Sequence, residues 1–287
     1  MMRGEEPSPA HRCAIATLQG ARPAAILVIG AHPDDETIGI GATLGGLIAS
    51  GWRARVLHVT DGAPHDEALR YALRHRTREE ASAIRHAEIR DALRAGGMNP
   101  EAIVLPSLPI ADQEASLAMA DVARALADRI AESGADVVVT HPYEGGHPDH
   151  DATAFAVHAA TALLASRGGS GAALAEMTSY HTRDGSLVTA AFRANAGEPV
   201  CHAHHDGRLD DDARARKRRM LDAFPTQAEI LEPFGIDAEP LRCAPHYDFT
   251  RPPHEGKLHY ESLPFGWTGA RWRELARQAL ADLGLGA

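Results

Sequence analysis

Ala24-Ala25-Ile26-Leu27-Val28-Ile29-Gly30-Ala31-His32-Pro33-Asp34-Asp35-Glu36 is the stretch that decides the fold. An apolar, β-branched run of strand length ends at a glycine and gives way at once to an imidazole and two adjacent carboxylates. In open α/β sheets the crevice beyond the carboxyl ends of the strands is where ligands bind. A second run, Asp136-Val137-Val138-Val139-Thr140-His141, leads in the same way to Gly145-Gly146-His147-Pro148-Asp149-His150-Asp151. Two strand ends that each carry His and Asp beside Pro predict one divalent metal site assembled between them.

Outward from these runs the pattern alternates. Strands are expected at 24–30, 53–60, 102–105 and 135–141, with helices at 41–51, 67–94, 113–133 and 151–167. Such an order reads as βαβ units of a parallel sheet. The expected fold is α/β, a Rossmann-like three-layer sandwich with a mostly parallel sheet and a loop-rich C-terminal extension. Strands at 173–181 and 198–204 and helices at 210–224 and 268–283 follow with weaker signals. Residues 1–22 are expected as a partly ordered lead-in, 23–235 as the catalytic domain and 236–287 as an extension packing near the substrate cleft.

With 287 residues, the chain carries a net charge of −10 with histidine neutral. That acidity argues against a nucleic-acid or anionic-membrane surface. No stretch approaches the roughly 20 apolar residues of a membrane span. Cys13, Cys201 and Cys243 show no CxxC spacing and cannot all pair with one another, so no disulfide framework is expected. With no signal-peptide pattern, the expected location is cytoplasmic. The absence of GxGxxG after the first strand removes the main support for a dinucleotide enzyme, and no GxSxG points to an activated serine.

Catalytic zinc usually takes three imidazole or carboxylate ligands and leaves one position for water. His32, Asp35 and His150 fit that count. A water so placed has its pKa lowered towards about 7. Adjacent Asp34 and Asp35 point different ways, so one can ligate while the other takes a proton from that water. The plainer alternative is that Asp34 or Asp35 merely caps the next helix. It explains neither the second His-Pro-Asp cluster nor the matched positions after two apolar strands.

With these residues the chain resembles the LmbE-like, or PIG-L-type, family of zinc-dependent hydrolases that remove acyl groups from amino-sugar nitrogens. The resemblance lies in Ala31–Glu36 and in His147-Pro148-Asp149-His150. It is extended by Thr60-Asp61-Gly62, Arg85-x-x-Glu88 and Lys217-x-x-Met220 leading to Gln227. It implies zinc, or another divalent ion such as Fe2+, on His32, Asp35 and His150. It implies Asp34 as general base and then proton donor to the departing amine, His147 beside the substrate carbonyl, and Asp149 orienting a histidine. Some members carry a Tyr two residues before the histidine matching His147. Here Gly145 stands there, so that role is vacant or filled elsewhere, with Tyr143 or a residue of the C-terminal segment as candidates. Candidate substrate contacts are Tyr143, Arg85, Tyr247 and Arg251.

Three further stretches have plain readings beside functional ones. Cys201-His202-Ala203-His204-His205-Asp206 looks like a second metal site but reads better as an exposed strand end. Arg214-Ala215-Arg216-Lys217-Arg218-Arg219 reads as a solvated helix face rather than a nucleic-acid patch. The aromatic segment 245–254, with Trp267 and Trp272, either selects substrate or anchors the C-terminus. The expected activity is zinc-dependent removal of an N-acetyl group from an N-acetylglucosamine-type conjugate, a small molecule. The alternatives are a zinc amidase for another acyl amide, such as a sugar-thiol conjugate, and a non-catalytic sugar or metal binder.

Overall fold

The computed structural model describes residues 13–20, 22–169, 171–193, 204–264 and 266–286. After a short helix α1 (Ala14–Leu18), strand β1 (Ala25–Gly30) runs fully buried to the His32 loop. Helices α2 (Asp35–Gly39) and α3 (Gly41–Ala49) then return the chain to β2 (Arg53–His58). Between β2 and the next long helix lies a 3-10 stretch, Glu67–Leu73, kinked at Tyr71. Helix α4 (Arg78–Ala95) begins later than the expected 67–94 because Thr77 and Glu80 form a reciprocal capping box.

The strand expected at 102–105 is instead a helical turn, α5 (Pro100–Ile103). Asn99 accepts a hydrogen bond from the Glu101 amide and Pro100 sits at the first helical position, so the local start signal wins over the β-branched pair that follows. Only a single parallel bridge, Val56 to Val104, remains of the strand. Helix α6 (Met119–Ser133) ends at Gly134 in the left-handed conformation, followed by β3 (Val137–Thr140) and helix α7 (Pro148–Ser166).

Strand β4 (Ala173–Met177) closes the parallel part of the sheet, and a hairpin of β5 (Tyr180–Arg183) and β6 (Ser186–Thr189) rises from its end. After β7 (His204–His205) come α8 (Asp211–Leu221), α9 (Ala228–Leu231), β8 (Leu241–Cys243) and α10 (Gly269–Asp282). The lead-in to residue 12 and residues 198–203, which hold all but the last residue of the strand expected at 198–204 and the first half of the Cys201–Asp206 stretch, lie outside the described residues.

The sheet order is β2-β1-β3-β4-β8-β7, with β1 to β4 mutually parallel, β8 antiparallel to β4, and β7 antiparallel to β8 at the edge. The loop-rich extension therefore also contributes a strand to the main sheet. Alternate side chains of the strands enter two cores. Leu27, Ile29, Leu57 and Val138 face α6, α7 and α10, while Ile26, Val28, Val56 and Val139 face α3, α4 and α8. The chain leaves β1 for β2 on one side and crosses to β3 on the other, so the sheet has its switch point at the β1 and β3 ends.

Two expectations change with packing. Lys217 is not on a solvated face: it is buried, donating to the Ile38 carbonyl and to Glu239, whose carboxylate also accepts from the Ala42 and Thr43 amides. That pair ties α8 to the start of α3. Trp272 and Tyr247 anchor rather than line a cleft. Trp272 Nε1 donates to the Pro148 carbonyl and its ring stacks on Tyr143.

Gly145 and Gly146 explain why the second cluster has no side chains before His147. Gly145 has φ of 71°, and a Cβ there would meet Leu258 at 2.7 Å. A Cβ on Gly146 would lie 2.0 Å from the Tyr180 carbonyl oxygen. The hairpin thus crosses directly over the glycine. Gly146→Ala should cost about 1–3 kcal/mol or more, read as a lower urea midpoint. Gly171→Ala, with nothing within 4 Å of its Cβ position, should leave the midpoint in place. Equal midpoints for the two variants would refute the close approach.

Candidate metal centre and cleft

The parallel strands deliver their carboxyl ends to one place. His32, Asp34 and Asp35 follow β1, His141 follows β3, His147 and His150 open α7, and Ser179 follows β4. This is the switch-point crevice that the order of the sheet creates. Asp35 is pinned because its Oδ2 accepts from the His32 amide at 2.7 Å and faces His141 Nε2 at 3.1 Å.

His32 Nδ1, His150 Nε2 and the Asp35 carboxylate form a small triangle. The two nitrogens stand 3.2 Å apart; Asp35 Oδ1 is 3.3 Å from His150 Nε2, and Oδ2 is 3.5 Å from His32 Nδ1. Two ligands of a tetrahedral ion bound at about 2.0–2.1 Å stand about 3.3–3.4 Å apart. The outward faces of both rings are already occupied. His32 Nε2 lies 3.1 Å from Asp112 and 3.4 Å from Asp149, and His150 Nδ1 is 3.0 Å from Ser179 Oγ. A proton on each outward nitrogen leaves the inward lone pairs aimed at each other and at Asp35.

The electrostatics show a corner that draws positive charge. Burial pushes His150 down to about 3, with His141 adding to the effect. Burial opposes ionisation of Asp35, yet His150 and His141 hold its carboxyl well below the usual range. Burial also opposes a charge on His32, but Asp112 foremost overcomes it and raises that pKa well above the ordinary value. The corner favours positive charge. Converging acceptors in such a field fit a divalent cation, and the donors here form overlapping groups able to hold one: His32, His147 and His150; Asp35, His141 and His150; and His32, Asp112 and Asp149.

Asp34 does not cap α2, since its side chain makes no cap hydrogen bond. Instead its Oδ2 accepts from Arg85 Nη2 at 2.7 Å. Burial raises its pKa to about 6, against the lowering influence of Arg85. Arg85 lies near Glu88, which accepts from the Thr226 amide and hydroxyl. His147 Nδ1 accepts from the Asp149 amide, and its Nε2 lies 3.0 Å from Gln113 Nε2. Burial holds the His147 pKa well below the ordinary value, with His32 and His150 adding repulsion.

Asp34, Asp35, His32, Arg85, His147 and His150 all line one cleft of about 220 Å³. Asp149 lies beneath it, accepting from the Gln113 and Ala115 amides. Three residues expected at the substrate are elsewhere. Tyr143 donates to the Arg251 carbonyl, Tyr247 donates to Glu176, and Arg251 pairs with Asp248 on the surface. Their aromatic neighbourhood is core: Tyr143, Tyr247, Phe249 and Trp272 pack on one another.

Asp112, Gln113, His141, Ser179 and Tyr180 also stand at the site, though no sequence motif assigns them a role there. His141 was marked only by its position at a strand end. Gln113 stands at the start of the expected 113–133 helix, yet it has φ of 74°, strain of a kind that clusters at functional sites. Tyr180 brings a phenol ring to the cleft, 5.3 Å from the His150 ring.

Residues 27–161 match the family described as PIG-L, GlcNAc-PI de-N-acetylase. A 1D-myo-inositol 2-acetamido-2-deoxy-alpha-D-glucopyranoside deacetylase of Thermomonospora curvata is 32% identical over 143 residues, covering 44% of this chain and 48% of that protein. A second such deacetylase, from Catenulispora acidiphila, is 31% identical over 148 residues, 46% of this chain and 49% of its own. The chain thus spans about half the length of the curated relatives it matches. In fold it is similar to a teicoplanin-pathway deacetylase, with TM-score 0.58, 16% identity, and 76% and 96% of the two chains covered. The N,N'-diacetylchitobiose deacetylase of Pyrococcus horikoshii gives TM-score 0.52 at 23% identity, covering 73% of each chain. Residues 27–161, the segment similar to the PIG-L family, contain every His and Asp donor of the site.

Proposed function

We propose that the protein is a zinc-dependent hydrolase that removes an N-acetyl group from an N-acetylglucosamine-type conjugate. The observation that carries this reading is the triangle of His32, Asp35 and His150, with a non-ligating carboxylate, Asp34, in the same cleft. Two imidazoles and one carboxylate leave an open position, the pattern of catalytic zinc sites, which Fe2+ shares. When bound, such an ion supplies Lewis acidity to a carbonyl oxygen and makes a water more acidic.

The chain's own groups account for the proton movements. Asp34, held by Arg85, takes a proton from the water whose oxygen bonds to the amide carbon. His147 donates a hydrogen bond to the carbonyl oxygen as negative charge gathers there. As the carbon–nitrogen bond breaks, Asp34 returns its proton to the nitrogen, so acetate and a free amine leave. Asp112, Asp149 and Ser179 hold the two ligating rings in the required tautomer and orientation.

The test is acetate release from a panel of N-acetylglucosamine glycosides, with and without a chelator. Chelator-sensitive release is expected, and absence of release from zinc-loaded protein would remove the sugar deacetylase reading. Asp34→Asn should retain zinc and lose about 10²–10⁴-fold in kcat, checked by metal content and turnover on one preparation; full turnover would remove the base assignment. His150→Ala should weaken zinc binding in calorimetry by more than the about 10–100-fold expected of Ser179→Ala, an outer partner. Equal losses would take His150 out of the coordination shell.

A further inference from the structure

Among the described residues, four large apolar side chains are well exposed: Tyr71, Leu117, Leu187 and Ile230. Three of them, Tyr71 at 43%, Leu187 at 44% and Ile230 at 38%, line the cleft that contains the His and Asp donors. They come from separate segments: the 3-10 stretch before α4, strand β6 and helix α9. Leu69 and Phe234 extend the same wall, and the Phe234 ring meets Tyr180. Exposed apolar side chains scattered singly need no explanation, but convergence on one ligand cleft does.

The backbone also marks this wall. Tyr71 has φ of 41° and ψ of −115°, a conformation costly for a residue with a side chain. The nearby cation is engaged, because Arg70 donates to the Pro64 and His65 carbonyls. Gln227 spends its amide on the Thr226 carbonyl and hydroxyl. A cyclitol or second sugar against this wall would bury hydroxyls beside leucine and isoleucine. An alkyl or aryl group there would remove apolar surface from water on both sides.

We infer that the cleft takes an amphipathic conjugate, with the acylated amino sugar on the His/Asp floor and an apolar chain or ring against Leu69, Tyr71, Leu187, Ile230 and Phe234. This rests on the reading above of an amide-cleaving site for an acylated amino sugar and narrows its substrate class. The apolar group is carried either on the anomeric oxygen or as the acyl chain itself, since both lie within one substrate. In either case the bond broken is the same amide.

The test uses the zinc-loaded full chain and two substrate pairs. One pair is the methyl and octyl glycosides of N-acetylglucosamine; the other is methyl glucosaminide bearing N-acetyl or N-octanoyl. The octyl or the octanoyl member is expected to exceed its partner at least tenfold in kcat/KM, and whichever pair responds identifies where the chain is carried. Leu187→Ser combined with Ile230→Ser should bring that ratio towards one. Leu117→Ser, exposed outside the cleft, should leave the ratio as it was. Turnover with equal kcat/KM within both pairs overturns the inference and leaves the deacetylase reading standing. Release from no member overturns both.

Discussion

Two imidazole nitrogens, His32 Nδ1 and His150 Nε2, meet at 3.2 Å beside the Asp35 carboxylate, whose Oδ2 faces the first ring and Oδ1 the second, and much of the surrounding structure serves to hold them there. Converging lone pairs repel unless positive charge sits among them. The sheet delivers them through the ends of parallel strands, where the backbone is fixed by pairing on both sides. Asp112, Asp149 and Ser179 then occupy the opposite ring nitrogens, so the inward tautomer is set by contacts outside the triangle. Loss of one such partner leaves the ligand present but wrongly aimed.

Buried ion pairs position the rest. Arg85 holds Asp34 away from the role of helix cap, and Lys217 with Glu239 fastens α8 to the start of α3 behind the site. Such pairs are weak evidence for stability, because taking both charges out of water costs nearly as much as their attraction returns. Their value here lies in direction. A carboxylate fixed by one guanidinium nitrogen presents its remaining oxygen to the cleft, and its pKa of about 6 keeps it within reach of both protonation states near neutrality.

The two His-Pro-Asp clusters were legible because each follows its own strand within a few residues, so sequence neighbours are also spatial neighbours. The parallel sheet was legible for the same reason: Ile26–Ile29 and Val137–Val139 are continuous apolar runs, as strands buried on both faces require. Asp112, Ser179 and Tyr180 were not legible, since nothing local relates them to His32 or His150 and only the crossing of the hairpin over Gly146 brings Tyr180 in. The 102–105 segment misled because two β-branched residues outweighed the Asn99-Pro100 start signal. Tyr143, Tyr247 and Arg251 misled because an aromatic near a predicted cleft and an aromatic in a core look alike in sequence. The division at residues 22 and 235 is the proposed domain plan; β8, beyond the second boundary, pairs with β4 in the same sheet.

The most direct test of the central claim is anomalous diffraction from zinc-soaked crystals, recorded on both sides of the zinc absorption edge. The account predicts one strong peak in the cleft, about 2.0–2.2 Å from His32 Nδ1, His150 Nε2 and an oxygen of Asp35, with Asp34 outside bonding distance. A peak bound instead by Asp112 and Asp149, or one that includes Asp34 among its ligands, would contradict it.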